Sequence, residues 1–308
     1  FCKYLCPLGT FNFASSTISP FQITARSRDV CRTCMGKECV NGSAQTLGCG
    51  AELFVPQIKS NLDCVFCLDC ARACPYDNVA LSARKPLAEL TRGAWPQRWD
   101  VGLMIFVFAF ASLVNAFGMV PPVYALEAWL GQLLGVANEA LLLAVILGLG
   151  ALLLPALLGI GAAWLSRALA GESAGAAPGR APAPARPAEA SLAAQAATRP
   201  QPIGRDSLRV VFSRYAPAVM PLAFAIWFAH YGFHFATGAL TIVPVVQSFL
   251  LDHGIMRFGA PNWTLGPILP VAWLLPLEIC VVLIGLLASL VVVGRIARQA
   301  HSDPAGAR

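Results

Sequence analysis

Between positions 64 and 75 the chain reads Cys64-Val65-Phe66-Cys67-Leu68-Asp69-Cys70-Ala71-Arg72-Ala73-Cys74-Pro75. Few runs restrict a fold as strongly. Three thiols, each two residues from the next, can wrap one face of a cubane iron–sulfur cluster. The fourth, followed by proline, turns away toward a second one. A zinc site asks for two pairs of Cys or His and has no use for the middle C-x₂-C step. The run therefore points to [4Fe–4S] ligation and one-electron chemistry.

Such a run needs partner ligands, and Cys31-Arg32-Thr33-Cys34-Met35-Gly36-Lys37-Glu38-Cys39 with Gly48-Cys49-Gly50 supplies them. The Cys34-to-Cys39 step is C-x₄-C instead of C-x₂-C, so either Cys39 or Cys49 suits the third place in this half. Crossed ligation assigns Cys31, Cys34, Cys39 and Cys74 to one cluster, and Cys64, Cys67, Cys70 and Cys49 to the other. Gly36, Gly42, Gly48 and Gly50 permit the tight turns and close backbone approach that hydrogen bonding to sulfur requires. Residues 76–81 suit a turn and a short strand. The expectation for 21–83 is a small α+β two-cluster domain of ferredoxin type.

Composition extends the argument to the rest of the chain. Of 308 residues, 57% are hydrophobic and 12% charged, against about 25% charged in soluble domains. Much of the chain must face lipid. Ten of the eleven cysteines precede Glu89 in spacings that suit metal, which favours a reducing compartment over disulfides. The net charge of +6 is carried by arginines flanking apolar segments and speaks to topology, with no sign of nucleic-acid binding. The chain opens on Phe1-Cys2 without a signal-peptide pattern, which suggests a start inside a longer protein.

Four apolar stretches are expected to cross the roughly 30 Å hydrocarbon layer as helices, giving an all-α polytopic membrane domain. They cover 101–120, 138–165 with a kink at Pro155, about 216–240, and about 268–294. By domain, 100–165 holds two spans and an interfacial segment at 123–136, 170–207 is a flexible Ala/Pro-rich linker, and 214–298 holds two more spans. Residues 84–99, with Arg84, Lys85, Arg92, Arg98, Trp95 and Trp99, read as a basic aromatic membrane interface. The opposite loops, 121–137 and 241–267, contain a single Arg257. By the positive-inside rule, the cysteine domain, linker and C-terminus are cytoplasmic in a bacterial inner membrane.

Two sets of residues stand outside the main cysteines. Cys2 and Cys6, in the C-x₃-C-P of segment 1–13, share a helix face that Pro7 would end. They suit a redox or metal role, with two packed thiols as the plain alternative. His230 and His234 share one face of the third span, and Glu278 lies in the fourth. Intramembrane ionisable groups are costly and usually functional. Three uses compete: quinone binding with proton handling, haem b ligation by one histidine, or plain interfacial hydrogen bonding.

Cys2-x₃-Cys6-Pro7-Leu8-Gly9, followed by the two-cluster module beside membrane spans, resembles the membrane polyferredoxin family of NosR- and NapH-like proteins. Residues 50–79, from Gly50-Ala51-Glu52-Leu53 to Asn78-Val79, are most similar to its FesM-like branch. The likeness covers roughly the first 85 residues. It implies two [4Fe–4S] clusters and electrons passing between a cytoplasmic donor protein and a membrane (quinone-like) or periplasmic acceptor. It also implies partner oxidoreductase subunits and further spans upstream. No nicotinamide or flavin fingerprint is present, so the chain reads as an electron-transfer subunit instead of a stand-alone enzyme. A maturation or regulatory protein, using Cys2 and Cys6 to reduce or deliver metal, is the alternative; a structural anchor is a weaker third.

Overall fold

Phe21–Ala25 (β1) and Val79–Ala83 (β2) close the cysteine-bearing segment by pairing antiparallel, with Phe21 opposite Ala83 and Ala25 opposite Val79. An isolated two-stranded sheet is marginal in water. This one is buttressed by a small core in which Ile23, Val55 and Val79 pack with the side chains of Cys39 and Cys70. Between the strands lie one-turn elements only: Arg28–Thr33, Glu38–Asn41 and Asp69–Ala73 as helical turns, with 3₁₀ turns at Val55–Gln57 and Asn61–Asp63. The computed structural model describes residues 7–91, 98–174 and 207–301.

A buried polar network holds these short pieces together. Arg84 and Glu89 form an ion pair at 2.5 Å with side chains 3% and 2% exposed. Arg84 also donates to the carbonyls of Ser19 (2.9 Å) and Thr17 (3.1 Å). Glu89 accepts from the Ser60 hydroxyl and from the backbone N–H of Asn61 at 3.0 Å. Asn61 in turn donates its amide to the carbonyls of Ser16 (3.0 Å) and Phe21 (2.8 Å). The network thus ties helix Pro7–Ser16, the entry to β1, and the turn at Asn61–Asp63 that delivers Cys64.

The rest of the described residues are mostly helical, and among them four helical stretches are long and apolar enough to cross a membrane: Trp99–Phe117, Glu139–Leu169, Leu208–Asp252 and Val271–Gln299. It is a multi-pass membrane protein. Contacts divide it into two units. One comprises Phe1–Phe106, Pro155–Met220 and Leu290–Arg308; the other, Val107–Leu154 and Pro221–Ser289. Inside the first unit, Gln299 donates to the Thr91 carbonyl at 2.7 Å, fastening the cysteine domain to the end of the fourth span. Phe212 packs on Phe106 with ring centroids 5.3 Å apart, and Gly159 leaves room for it, since a Cβ there would meet the Phe212 ring at 2.6 Å. Inside the second unit, Gly285 lies so close to Ala225 that a Cβ would meet its methyl at 2.3 Å. Small residues at such crossings let helix backbones approach in lipid.

Several expectations need correction. Arg84 is not an interfacial cation; it is consumed by Glu89, whose offset of five residues is not a helical pairing pattern and gives no local signal. Pro7 lies in helix Pro7–Ser16; the helix expected to end at it falls on residues 1–6, outside the described residues. Segment 241–267, taken as a loop, contains helix Ile242–Asp252. The third span starts earlier, at Leu208, and is interrupted by a 3₁₀ turn at Ala216–Val219. The distortion expected at Pro155 falls in the preceding turn, Leu149–Leu153, which is π-helical because proline offers no N–H to the carbonyl four residues back. The interfacial segment is helical over Pro121–Leu134. Cys2, Cys6, Arg92, Trp95 and the linker from 175 to 206 lie outside the described residues.

Breaking the ion pair from one side strands a buried charge, which costs about 3–5 kcal/mol. Arg84→Met and Glu89→Gln should each lower the urea stability of the detergent-solubilised protein by that order. The double variant should lose clearly less than the two losses combined. Small additive losses would contradict the role given to the pair.

Candidate functional site

The backbone around the cysteines is unusual before any side chain is considered. Among the described residues, six other than glycine have positive φ: Lys37, Glu52, Phe66, Leu68, Asp77 and Leu87. All but Leu87 lie within three residues of a cysteine of the 31–74 set. Left-handed backbone costs an ordinary residue of order 1–3 kcal/mol, and such strain clusters at functional sites. Lys37 absorbs the long Cys34-to-Cys39 step by launching the one-turn helix Glu38–Asn41. Gly42 (φ +85°) and Gly48 then bring the chain back on itself, and a Cβ on Gly48 would strike the Val40 carbonyl at 2.0 Å. The fold-back lets Cys49 N–H donate to the Cys39 carbonyl at 3.1 Å.

The thiols gather in two sets. Cys31, Cys34 and Cys74 surround Cys39 closely enough to act on it electrostatically. Cys49, Cys64 and Cys67 surround Cys70 in the same way. The second set lines a cavity of about 720 Å³ that all four of its thiols share with Gly50, Val55 and Phe66. Cys39 and Cys70 also sense one another, and both are buried in the apolar core beneath β1 and β2. They are the point of contact between the sets. Cys67 is the exposed member, flanked by the exposed side chains of Val65 and Leu68.

Hydrogen bonds to sulfur come from the turns. Asn78 donates its side-chain amide to Cys31 Sγ at 3.1 Å and its backbone N–H to Cys74 Sγ at 3.4 Å. The backbone N–H groups of Val55 and Phe66 serve Cys39 and Cys64. The Cys34 thiol lies 3.4 Å from Glu38 Oε2, to which it donates. Among the described residues no three His, Cys, Asp or Glu side chains converge closely enough to hold a single metal ion.

Burial pushes the Cys39 and Cys64 thiols up from their ordinary value, against the N–H donors that pull the other way. The same burial, with charge on Cys64, Cys49, Cys67 and Cys39 adding to it, pushes Cys70 up to about 11. Asp69 is held below the usual carboxylate range by its ion pair with Arg72 and by the Cys67 thiol.

A second polar group lies in the other unit, among the apolar helices. Asn115 of the first span meets His230 Nε2 at 3.1 Å, and the His230 and His234 rings sit edge to face at 4.8 Å. Ser289 Oγ accepts from Leu222 N–H at 3.1 Å, and Gly285 lies against Ala225, which fixes an antiparallel register between third and fourth spans. Seven residues, or two turns, back along the fourth span this register brings Glu278 level with Gly232, between the two histidines. Glu278 Oε1 is buried without a hydrogen-bond partner, a state rare for native polar atoms.

Sequence reasoning missed Asn78 and Asn115. For Asn78 a signal existed: an amide four residues past the Cys-Pro turn, where the chain returns to the first cysteine of the domain. Nothing in the sequence marks Asn115 beyond an amide in an apolar helix. No family model, curated protein or solved structure matches the chain.

Because the folded domain favours neutral thiols, the unfolded chain releases protons first as pH rises. Stability of the reduced, metal-free domain is therefore full below about pH 9 and lost between the unfolded thiol value of 9.0 and about 11. Urea titrations of that form at pH 8 and 10 should show the lower midpoint at pH 10, and Cys70→Ala should flatten the difference. A midpoint that rises with pH would contradict it.

Proposed function

We propose that this chain is a membrane-anchored iron–sulfur electron-transfer protein. Its cysteine domain has a two-cluster ferredoxin arrangement and holds two [4Fe–4S] clusters on the cytoplasmic side of a bacterial inner membrane. It passes electrons between a cytoplasmic donor protein and a quinone-like membrane acceptor. The observation that carries this reading is the gathering of eight cysteines into two sets of four that meet at Cys39 and Cys70. The residues fit the group. Four of the thiols line one cavity, as suits thiolates that each bind a separate iron. Strained left-handed turns and N–H donors face the sulfurs. When bound, each cluster supplies a one-electron couple whose potential follows hydrogen bonding and burial.

The residues around the thiols have separable tasks in this reading. Ile23, Val55 and Val79 exclude water from Cys39 and Cys70, where the sets approach. Exposed Cys67, with Val65 and Leu68 beside it, offers the docking edge for a donor protein. Arg209, Arg214, Arg295 and Arg298 flank the spans on the side of the cysteine domain, while Arg257 is alone in the opposite loops, which supports the cytoplasmic assignment. His230 and His234, with Glu278 in the neighbouring span, are the candidates for the acceptor side, where they can hold or release protons. With His230 Nε2 engaged by Asn115, haem ligation would fall to His234.

Alanine at Cys31, Cys34 or Cys74 should remove one centre, and alanine at Cys49, Cys64 or Cys67 the other. Each should lower iron from about eight to about four per chain and leave one uncoupled paramagnetic centre on reduction. Identical residual spectra from both groups would sink the partition. His230→Leu and Glu278→Gln should keep the full iron content yet slow reoxidation of the reduced protein by a ubiquinone analogue about a hundredfold, the lower end of lost proton-transfer assistance. Unchanged reoxidation would remove these residues from the acceptor site.

A further inference from the structure

The two cysteine sets are built alike in one respect and differ in the next residue. Cys74 and Cys49 are each followed, three positions on, by a residue in left-handed conformation: Asp77 (φ 47°) and Glu52 (φ 55°). The position after that is Asn78 in one set and Leu53 in the other. The leucine side chain has no hydrogen to donate. Asn78 is 4% exposed, and its amide orientation is forced. Oδ1 accepts from Ser27 N–H at 2.8 Å, so Nδ2 must face the Ser27 carbonyl at 2.7 Å and Cys31 Sγ at 3.1 Å. With its backbone N–H on Cys74 Sγ at 3.4 Å, this one residue bridges the first and last thiols of its set, forty-three positions apart in the chain.

We infer that Asn78 is a positioning residue that sets the two centres apart: its side-chain N–H on Cys31 raises the reduction potential of the centre held by Cys31, Cys34, Cys39 and Cys74, a donor for which Leu53 offers no counterpart at the other centre. The inference rests on the cluster assignment made above. Reduction adds one electron and concentrates negative charge on the sulfurs. A donor to a ligating sulfur stabilises that charge and so favours the reduced state. The buried site strengthens the effect, because little solvent screens it. Polarity then follows: electrons arriving at the exposed Cys67 edge move downhill toward the Asn78 centre.

The test is a redox titration of the full protein followed by electron paramagnetic resonance, comparing wild type with Asn78→Asp, Asn78→Leu and Asn78→His. Aspartate keeps the acceptor for Ser27 N–H, loses the donor and adds a negative charge. Histidine restores a ring N–H. The expected result is a shift to more negative potential, confined to one centre, in the Asp and Leu variants, with recovery toward wild type in the His variant. Unshifted potentials, a shift of the other centre, or loss of the centre from Asn78→Asp would overturn the inference, the last by making Asn78 an assembly residue only. A wild-type protein without two centres would instead refute the cluster assignment, a failure distinguishable from the others.

Discussion

Eight thiols held within about forty-five residues impose the constraint on which the rest of the cysteine domain depends. A thiol taken from water resists ionisation, and a thiolate beside other thiolates resists it further. The upward displacement of Cys39, Cys64 and Cys70 expresses both effects. A sheet of two five-residue strands and a handful of single turns cannot offset much by apolar burial. The domain answers with polar rigidity. Arg84, Glu89, Ser60 and Asn61 close a network in which every charge has a partner, at the point where the chain enters the Cys64 run. Buried networks of this sort strengthen one another when complete and are costly when broken.

That rigidity has a consequence for chemistry. Strained turns at Lys37, Glu52, Phe66, Leu68 and Asp77 persist only if the surroundings hold them, and those at Phe66 and Asp77 bring backbone N–H groups to sulfur. The same elements bury Cys39 against Cys70 while leaving Cys67 at the surface. A site with one wet edge and a dry crossing point suits directed electron movement better than it suits structural metal storage. Gln299 on Thr91 fastens this arrangement to the fourth span, so that the domain is fixed at the membrane and not tethered to it loosely.

What was legible in the sequence, and what was not, divides by range. The cysteine spacing is local, and it singled out as candidates the eight thiols that the fold brings near one another. The apolar spans are visible in composition alone, and four such helices are present. Interactions that need the folded chain were invisible. Arg84 looked like an interfacial cation because its neighbours in sequence are basic and aromatic, while its partners at Ser19, Thr17 and Glu89 become neighbours only through the pairing of β1 with β2. Helix Pro7–Ser16 packs against the Asn61 turn through bonds between Ser16 and Asn61, forty-five positions apart, which no local pattern announces. Asn78 looked like an ordinary turn residue until the chain returned it to Cys31. The π-helical turn ahead of Pro155 shows the remaining limit, since a kink was readable but the turn that absorbs it was not.

The central claim is that the two cysteine sets hold iron–sulfur clusters and carry electrons. The most direct test is metal and acid-labile sulfide analysis of anaerobically purified full-length protein, combined with low-temperature electron paramagnetic resonance before and after dithionite. The account predicts about eight iron and about eight sulfide per chain. It also predicts a reduced spectrum broadened by interaction between two neighbouring centres. Stoichiometric zinc with no labile sulfide, and no signal on reduction, would contradict it.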